Sequence, residues 1–236
     1  IGGTAKGHLV YEIDALGGQM GKSADLVTLQ SRTLNLGKGA AVFSKRVQAD
    51  RMKYRDVMKS VLETTPNLRI VQAEITDIKT VLENGQKRID SVITRLGEEY
   101  KTQCAIICTG TYLNATIHTG NICYQCGPDS LSGANFLTSA LEREGIALLR
   151  FKTGTPARID KRSIDFSKME EQVGDERVIP FSFSTDPESV QKEQVSCWLT
   201  YTNEKTHEII RANLDRSPIY AGIIEGTGPR YCPSIE

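Results

Sequence analysis

One cysteine near the C-terminal end carries the strongest chemical signal in the sequence. Cys232 is followed directly by Pro233, preceded two residues earlier by Arg230, and approached through Gly222, Gly226 and Gly228. Proline suits the first position of a helix, because its φ is already helical and its missing N–H is one the first turn leaves unpaired. Cys232 then becomes the N-cap, where the helix dipole and Arg230 together favour thiolate over thiol. A thiolate on a turn beside a guanidinium is a prepared nucleophile.

Several elements must position that thiol. Val195 to Thr202 reads as an alternating strand that delivers the chain into Asn203, a good N-cap for a helix over Glu204 to Asn213. On that helix His207, Ile210 and Leu214 share a stripe. His207 is therefore either a packed, satisfied histidine or an acid, base or ligand near the thiol. Residues 161 to 194 are polar, with Pro180 and Pro187, and read as loop with short elements.

At the other end, Gly2, Gly3 and Gly7 precede an apolar-periodic segment (Leu9, Val10, Ile13, Leu16) that Gly17-Gly18 closes as a helix C-terminus does. Glycines before a helix either admit a ligand close to the backbone or make a tight packed turn. From Val47 to Glu63 the pattern is helical, with Tyr54, Val57, Met58, Val61 and Leu62 on one stripe. Arg51, Arg55 and Lys59 form a ridge on the same segment that either tracks phosphates or, interleaved with Asp50 and Asp56, faces solvent.

Residues 69 to 108 read as strands: LRIVQAEI, DIKTVLE, RIDSVIT and KTQCAIICTG, with Asn84-Gly85 as a two-residue hairpin turn. The apolar run Cys104 to Cys108 reads as a strand buried on both faces, ending on Thr109-Gly110. Cys123 and Cys126 stand as C-x-x-C in a turn-rich stretch. Zinc needs four ligands, and Cys104 and Cys108 lie inside the presumed strand, so no metal is expected; a redox pair or two incidental thiols remain. A helix over Ala134 to Glu144 and a strand over Ile146 to Phe151 follow, and the chain changes character at Lys152 to Asp160.

The composition sets outer bounds. With 236 residues, 39% of them hydrophobic, there is material for one large domain or two small ones. The 29 basic and 29 acidic side chains cancel, so any nucleic-acid surface must come from local clustering. No run is apolar and long enough for a bilayer and no charged-then-apolar leader is present, so a cytoplasmic location with no membrane role is expected. The six cysteines suit a reducing compartment. The chain opens at Ile1 and closes in what reads as the first turn of a helix, as an internal stretch of a longer protein would.

The segments IGGTAKGHLVYEIDALGG, QSRTLN, KGAAV, QADR, TGTYL, IHTG, KTGTPARID, TNEKTHEIIRANLDRSP and YAGIIEGTGPRYCPSIE follow one another as in the glucose-inhibited division protein A family of tRNA-modifying flavoenzymes, which the chain resembles along its whole length. It departs from the family at Ala40, where members usually carry proline, and around Cys123 to Ser132.

The resemblance implies an α/β fold: part of a glutathione-reductase-type FAD-binding domain, parallel sheet plus β-meander, over residues 1–150, lacking its G-x-G-x-x-G strand, turn and helix. An inserted mixed α/β domain that binds NAD and substrate follows over 151–236. It implies FAD, NADH and methylene-tetrahydrofolate as cofactors, and a homodimer working with a partner GTPase of the MnmE family. The implied reaction adds a carboxymethylaminomethyl or aminomethyl group to C5 of the tRNA wobble uridine; the stretch alone is expected to be inactive. The alternatives are the folate- and FAD-dependent tRNA uracil-C5 methyltransferase and a non-catalytic RNA-binding or dimerisation module.

Carried over by position, Gly2, Gly3, Lys6 and Gly7 line the flavin. Ile75 passes the adenine side of FAD through its backbone, and Thr109 and Gly110 end a second cofactor-contacting strand. Gly228, Pro229, Arg230, Tyr231, Cys232, Pro233, Ser234, Ile235 and Glu236 match the nicotinamide dinucleotide segment, with Cys232 catalytic and Arg230 beside it. Lys205, Arg211 and Arg216 are candidates to hold tRNA phosphates or NADH, or else surface ion pairs. The chemistry supports the cysteine independently: C5 of uracil becomes nucleophilic when a thiolate adds at C6 and leaves an enolate.

Overall fold

The computed structural model describes residues 6–120, 122–154, 156–226 and 228. In chain order the elements are α1 (Lys6–Ala15), α2 (Met20–Leu26), β1 (Thr28–Leu34), β2 (Ser44–Ala49), α3 (Arg51–Thr64), β3 (Ile75–Glu83), β4 (Gln86–Thr94), β5 (Glu99–Lys101), β6 (Thr116–Thr119), β7 (Ile122–Gln125), α4 (Leu137–Arg143), β8 (Glu170–Gln172), β9 (Cys197–Leu199) and α5 (Glu204–Arg211), with short 3-10 turns between them. It is a mixed α/β architecture. Every ladder among the described residues is antiparallel, and one isolated bridge, Leu113 to Ala134, is parallel.

The described residues gather into two compact units. Among them, the first draws on 6–70, 153–154, 156–208 and 228, the second on 71–120, 122–152 and 209–226.

In the first unit α1 closes as expected. Gly17 takes φ +89°, its N–H donates to Asp14 O (2.8 Å), and that of Gly18 donates to Ile13 O (2.9 Å), the paired bonds of a Schellman motif. The buried face, however, is not the apolar one. Leu9, Ile13 and Leu16 are exposed, while Gly7 and Asp14 are buried. With half-buried Tyr11 between them, they mark one face at helical spacing.

Asp14 is buried because it caps backbone. Its Oδ2 accepts the N–H of Phe183 (2.8 Å). Asp25, from α2, accepts the N–H groups of Phe181 (2.8 Å) and Ser182 (2.9 Å). These bonds span more than 150 residues of sequence. Tyr11 closes the arrangement, with ring centroids 5.3 Å from Phe181 and 5.8 Å from Phe183.

The edge of β1 is used the same way. Asp175 N–H donates to Ser31 O and Val195 N–H to Leu29 O, both 2.8 Å. Gln194 Oε1 accepts from Ser31 N (2.7 Å), Gln30 Nε2 donates to Gln172 O (2.8 Å), and Asp175 Oδ2 accepts from Thr33 N and Oγ1 (2.8 Å each).

The helix expected from Val47 begins at Arg51 instead. Ser44 to Ala49 pairs with β1, and Asp50 caps α3 by accepting from Met52 N (3.0 Å) and Lys53 N (3.1 Å). The N-cap side chain fixes a boundary that the apolar spacing had blurred.

In the second unit β3, β4 and β5 form a meander. Asn84 (φ 52°) and Gly85 (φ 78°) both lie in the left-handed region a type I′ turn requires. Glu99 clamps the three strands, accepting from Ser91 (2.7 Å) and Lys79 (3.0 Å). The Ser91 hydroxyl and then the Lys79 and Lys101 ammonium groups hold its carboxyl down at about 2. α4 packs Leu137, Ala140 and Leu141 on Ile78, with Ile75, Ile89, Leu113 and Leu148 around them.

Three expected strands are not formed. Leu68 to Glu74, Cys104 to Cys108 and Ile146 to Phe151 lie outside every strand, with a single bridge at Phe151, and Ile106 is 89% and Leu149 81% exposed. A strand buried on both faces needs neighbours at both edges, and the described residues supply none there.

Two outcomes follow from the first unit. Asp25→Ala strands two buried N–H groups, an expected loss on the order of 2–5 kcal/mol in urea unfolding, against less than about 0.5 for Asp56→Ala on the exposed face of α3. Lys45 Nζ is buried without a hydrogen-bond partner, 4.9 Å over the Phe181 ring. Burial pushes its ammonium from 10.5 down to about 8, against the pull of Asp25 and Asp175. The folded state binds fewer protons there than the unfolded chain, so stability rises between about pH 8 and 10.5. Lys45→Met should raise stability at neutral pH and flatten that rise in melts taken across the window.

Candidate functional site

The cleft that collects expected site residues lies in the second unit. It encloses about 460 Å3 between Gln72–Glu74, Thr109, Tyr112 and Ser132–Ala134. Three separate stretches of irregular chain build it. Gly110, at φ +54°, turns the chain so that Tyr112 N–H donates to Thr109 O (3.0 Å). Ala134 N–H then donates to Tyr112 O (2.9 Å), and Asn114 N–H to Ala134 O (3.2 Å).

Glycine is needed where these stretches meet. A Cβ on Gly127 would lie 2.2 Å from the Tyr112 ring, and one on Gly133 would lie 2.8 Å from Asn135 Oδ1. That Oδ1 and the Thr138 hydroxyl are buried without hydrogen-bond partners, polar capacity left over next to the cleft wall. On the Gln72–Glu74 side, Arg95 N–H donates to Glu74 O (2.8 Å), and its guanidinium stacks 5.1 Å over Phe136. A second hollow of about 540 Å3 borders Glu83, Arg88, Asp90 and Lys101, but there Arg88 is paired with Glu83, and Lys101 with Asp90.

Of the expected FAD contacts, Thr109 lines the cleft, Gly110 makes its turn, and Ile75 begins β3 directly after Glu74. Lys6 and Gly7 belong to the first unit. Lys6 is exposed, and Gly7 lets α1 approach β2, since a Cβ there would lie 2.9 Å from both Lys45 O and Ser44 Oγ. Gly228 is half-buried. Gly2, Gly3, Pro229, Arg230, Tyr231, Cys232, Pro233, Ser234, Ile235 and Glu236 lie outside the described residues.

Lys205, Arg211 and Arg216 are exposed on α5 and the turn after it, with Arg216 donating to Asn213 (3.1 Å). Asn203 caps α5 as expected, accepting from Thr206 N (3.0 Å). His207 Nε2 sits 2.8 Å from Thr202 Oγ1, a satisfied histidine. On α3, Arg55 pairs with Asp56 (2.9 Å) and Lys59 with Glu63 (3.6 Å), so two of the ridge's three cations are ion-paired on a solvated face. No group of three or more His, Cys, Asp or Glu side chains suited to a metal occurs among the described residues.

Tyr112, Gln72 to Glu74 and Asn135 were missed by the sequence reading. Tyr112 stood inside the TGTYL motif, and Gly133 in the small-residue run before Ala134; these were the available signals.

Comparison with known proteins places this mixed α/β arrangement. Two crystal forms of Aquifex aeolicus GidA match it, at TM-scores of 0.86 and 0.84 and 49% and 46% identity, over 99% of this chain and 39% and 37% of theirs. The family model described as glucose inhibited division protein A matches residues 1–236, and the chain belongs to that family. Among its relatives are the tRNA uridine 5-carboxymethylaminomethyl modification enzymes MnmG of Lachnoclostridium phytofermentans, 58% identical, and of Clostridium novyi, 54% identical, each over all of this chain. The chain spans 37% and 36% of their lengths.

The packing of Tyr112 on Gly127 can be tested by a double-mutant cycle. Gly127→Ala should cost about 1–3 kcal/mol by denaturant melt. In a Tyr112→Ala background, which removes the ring, the same change should cost less than about 0.5 kcal/mol.

Proposed function

We propose that this chain is a portion of a flavoenzyme that modifies tRNA, adding a carboxymethylaminomethyl or aminomethyl group to C5 of the wobble uridine. The observation that carries the reading is the cleft. It joins the stretch leading into Ile75 with Thr109 and Ala134, although these come from three distant parts of the sequence. Family membership supports the same assignment.

The residues present fit a dinucleotide at this cleft. Glycines allow close backbone approach, Gly110 sets the turn, and the free Asn135 Oδ1 lies against the Gly133 wall. FAD bound there supplies redox chemistry to the one-carbon unit, with NADH as reductant and methylene-tetrahydrofolate as carbon source. In this reading the dinucleotide-binding domain takes residues 1–150, of the glutathione-reductase type, and an inserted NAD- and substrate-binding domain takes 151–236. The enzyme is a cytoplasmic homodimer acting with a GTPase of the MnmE family.

The residues that act on tRNA come from the end of the chain. Cys232 adds through sulfur to C6 of uracil, and Arg230 stabilises the negative charge, first on sulfur and then on the enolate oxygen. The C5 carbanion so formed attacks the electrophilic one-carbon unit; loss of the C5 proton and expulsion of the cysteine restore the ring. Lys205, Arg211 and Arg216 hold phosphates. The ion-paired face of α3 gives no support to a non-catalytic RNA-binding module resting on that ridge.

The decisive experiment uses the full-length enzyme. Cys232→Ser should abolish wobble-uridine modification of tRNA, measured by nucleoside mass spectrometry, while the purified protein keeps its flavin absorbance. Normal modification by that variant removes the nucleophile assignment, and wild-type protein that binds no FAD removes the flavoenzyme reading.

A further inference from the structure

The strand pair β6–β7 carries chemistry that the proposed reaction does not use. Its register sets His118 directly opposite Cys123, so the two side chains share one face of the hairpin. Cys123 Sγ lies 3.9 Å from His118 Nε2. The thiol is exposed and the imidazole half-buried, and every residue of β7 is exposed.

We propose that Cys123 is a reversible S-thiolation site, taking low-molecular-weight disulfides of the glutathione class with His118 as the base that receives its proton. The sulfur of Cys123 forms a bond to one sulfur of the reagent as the reagent's own S–S bond breaks. The departing half leaves as a thiolate and takes the proton from His118. The reagent is the oxidant: one of its halves ends as free thiol, the other as the mixed disulfide on Cys123.

The C-x-x-C spacing suggests that Cys126 would resolve this adduct, but the geometry denies it. β7 is extended through Gln125, and Cys126 N–H continues the pairing by donating to Ala115 O (3.2 Å). Three residues of strand separate the two α-carbons by about 10 Å, well past the roughly 7 Å limit for a disulfide. The Cys126 thiol is also engaged, donating to Leu131 O (3.0 Å). The mixed disulfide therefore persists until an external thiol removes it.

Cys104 and Cys108 provide internal controls, being exposed thiols on an irregular run with no hydrogen-bonded base among the described residues. Full-length protein is incubated with glutathione disulfide near neutral pH and followed by peptide mass spectrometry. Cys123 should acquire the adduct at least about fivefold faster than Cys104 or Cys108, and dithiothreitol should remove it. His118→Gln should bring Cys123 down to the rate of the other two and leave theirs unchanged. Equal rates in the wild-type protein, an unchanged Cys123 rate in His118→Gln, or an internal Cys123–Cys126 disulfide as the product would each overturn the proposal. If His118→Gln does not fold, the ranking of the three thiols in the wild-type chain decides, with Cys123→Ser confirming which peptide carries the adduct.

Discussion

The first unit depends on carboxylates that receive backbone amides. Asp25 takes the N–H groups of Phe181 and Ser182, and Asp14 that of Phe183. A buried carboxylate without partners costs several kcal/mol; Asp25 offsets that by accepting an otherwise stranded amide on each oxygen, and Asp14 does so on Oδ2 while its Oδ1 stays buried without a hydrogen-bond partner. These bonds join the α1–α2 end of the chain to the polar stretch on either side of Pro180. That stretch has little apolar material of its own, with Val178, Phe181 and Val190 its buried apolar side chains. Its position is set by hydrogen bonds to Asp14, Asp25, Gln30 and Ser31 more than by a large core. Lys45 is confined by the same arrangement, its ammonium pressed over Phe181, within the field of Asp25 and Asp175.

The second unit is organised differently. A seven-residue helix, α4, buries Leu137, Ala140 and Leu141 on the meander. Polar ties fix its direction: Arg143 meets Asp77, and Glu144 accepts from Thr80 and Lys87 at 3.1 Å each. With α4 held there, the Ser132–Ala134 segment just before it must lie beside Tyr112, and the cleft follows from that placement. The cleft is thus a by-product of how a short helix docks, which is why its lining comes from loops rather than from element faces.

Local signals were legible in the sequence and long-range partners were not. Asn84-Gly85, Gly17-Gly18 and Asn203 each encode a backbone conformation or a cap within a few residues, and each appears in the structure where it was read. Asp50 encodes its cap just as locally, but the apolar residues before it masked the helix boundary. Asp14 offered no such signal, because its partner is Phe183, 169 residues away. Apolar runs misled for a related reason. Cys104 to Cys108 has the composition of a doubly buried strand, yet composition cannot supply the neighbouring ladders that bury it. Of the candidate site, Thr109, Gly110 and Ile75 were reached through a family pattern, whereas Tyr112 and Asn135 depend on contacts visible only after folding.

The cysteines show why exposure alone does not make a nucleophile. Cys197 donates to Gln30 Oε1 (3.2 Å) and Cys126 to Leu131 O (3.0 Å), each using its thiol as a weak donor. Cys104 and Cys108 face solvent with no proton acceptor against the thiol among the described residues. A reactive cysteine needs a nearby group that takes the proton or favours the anion. Among the described residues Cys123 has one, through His118 across a hairpin; for the nucleophile proposed at Cys232 the partner is its sequence neighbour Arg230. The two differ in what the partner can do. An imidazole accepts a proton and hands it on, as reversible exchange requires. A guanidinium cannot give up its proton at physiological pH but holds negative charge in place, as an enolate requires.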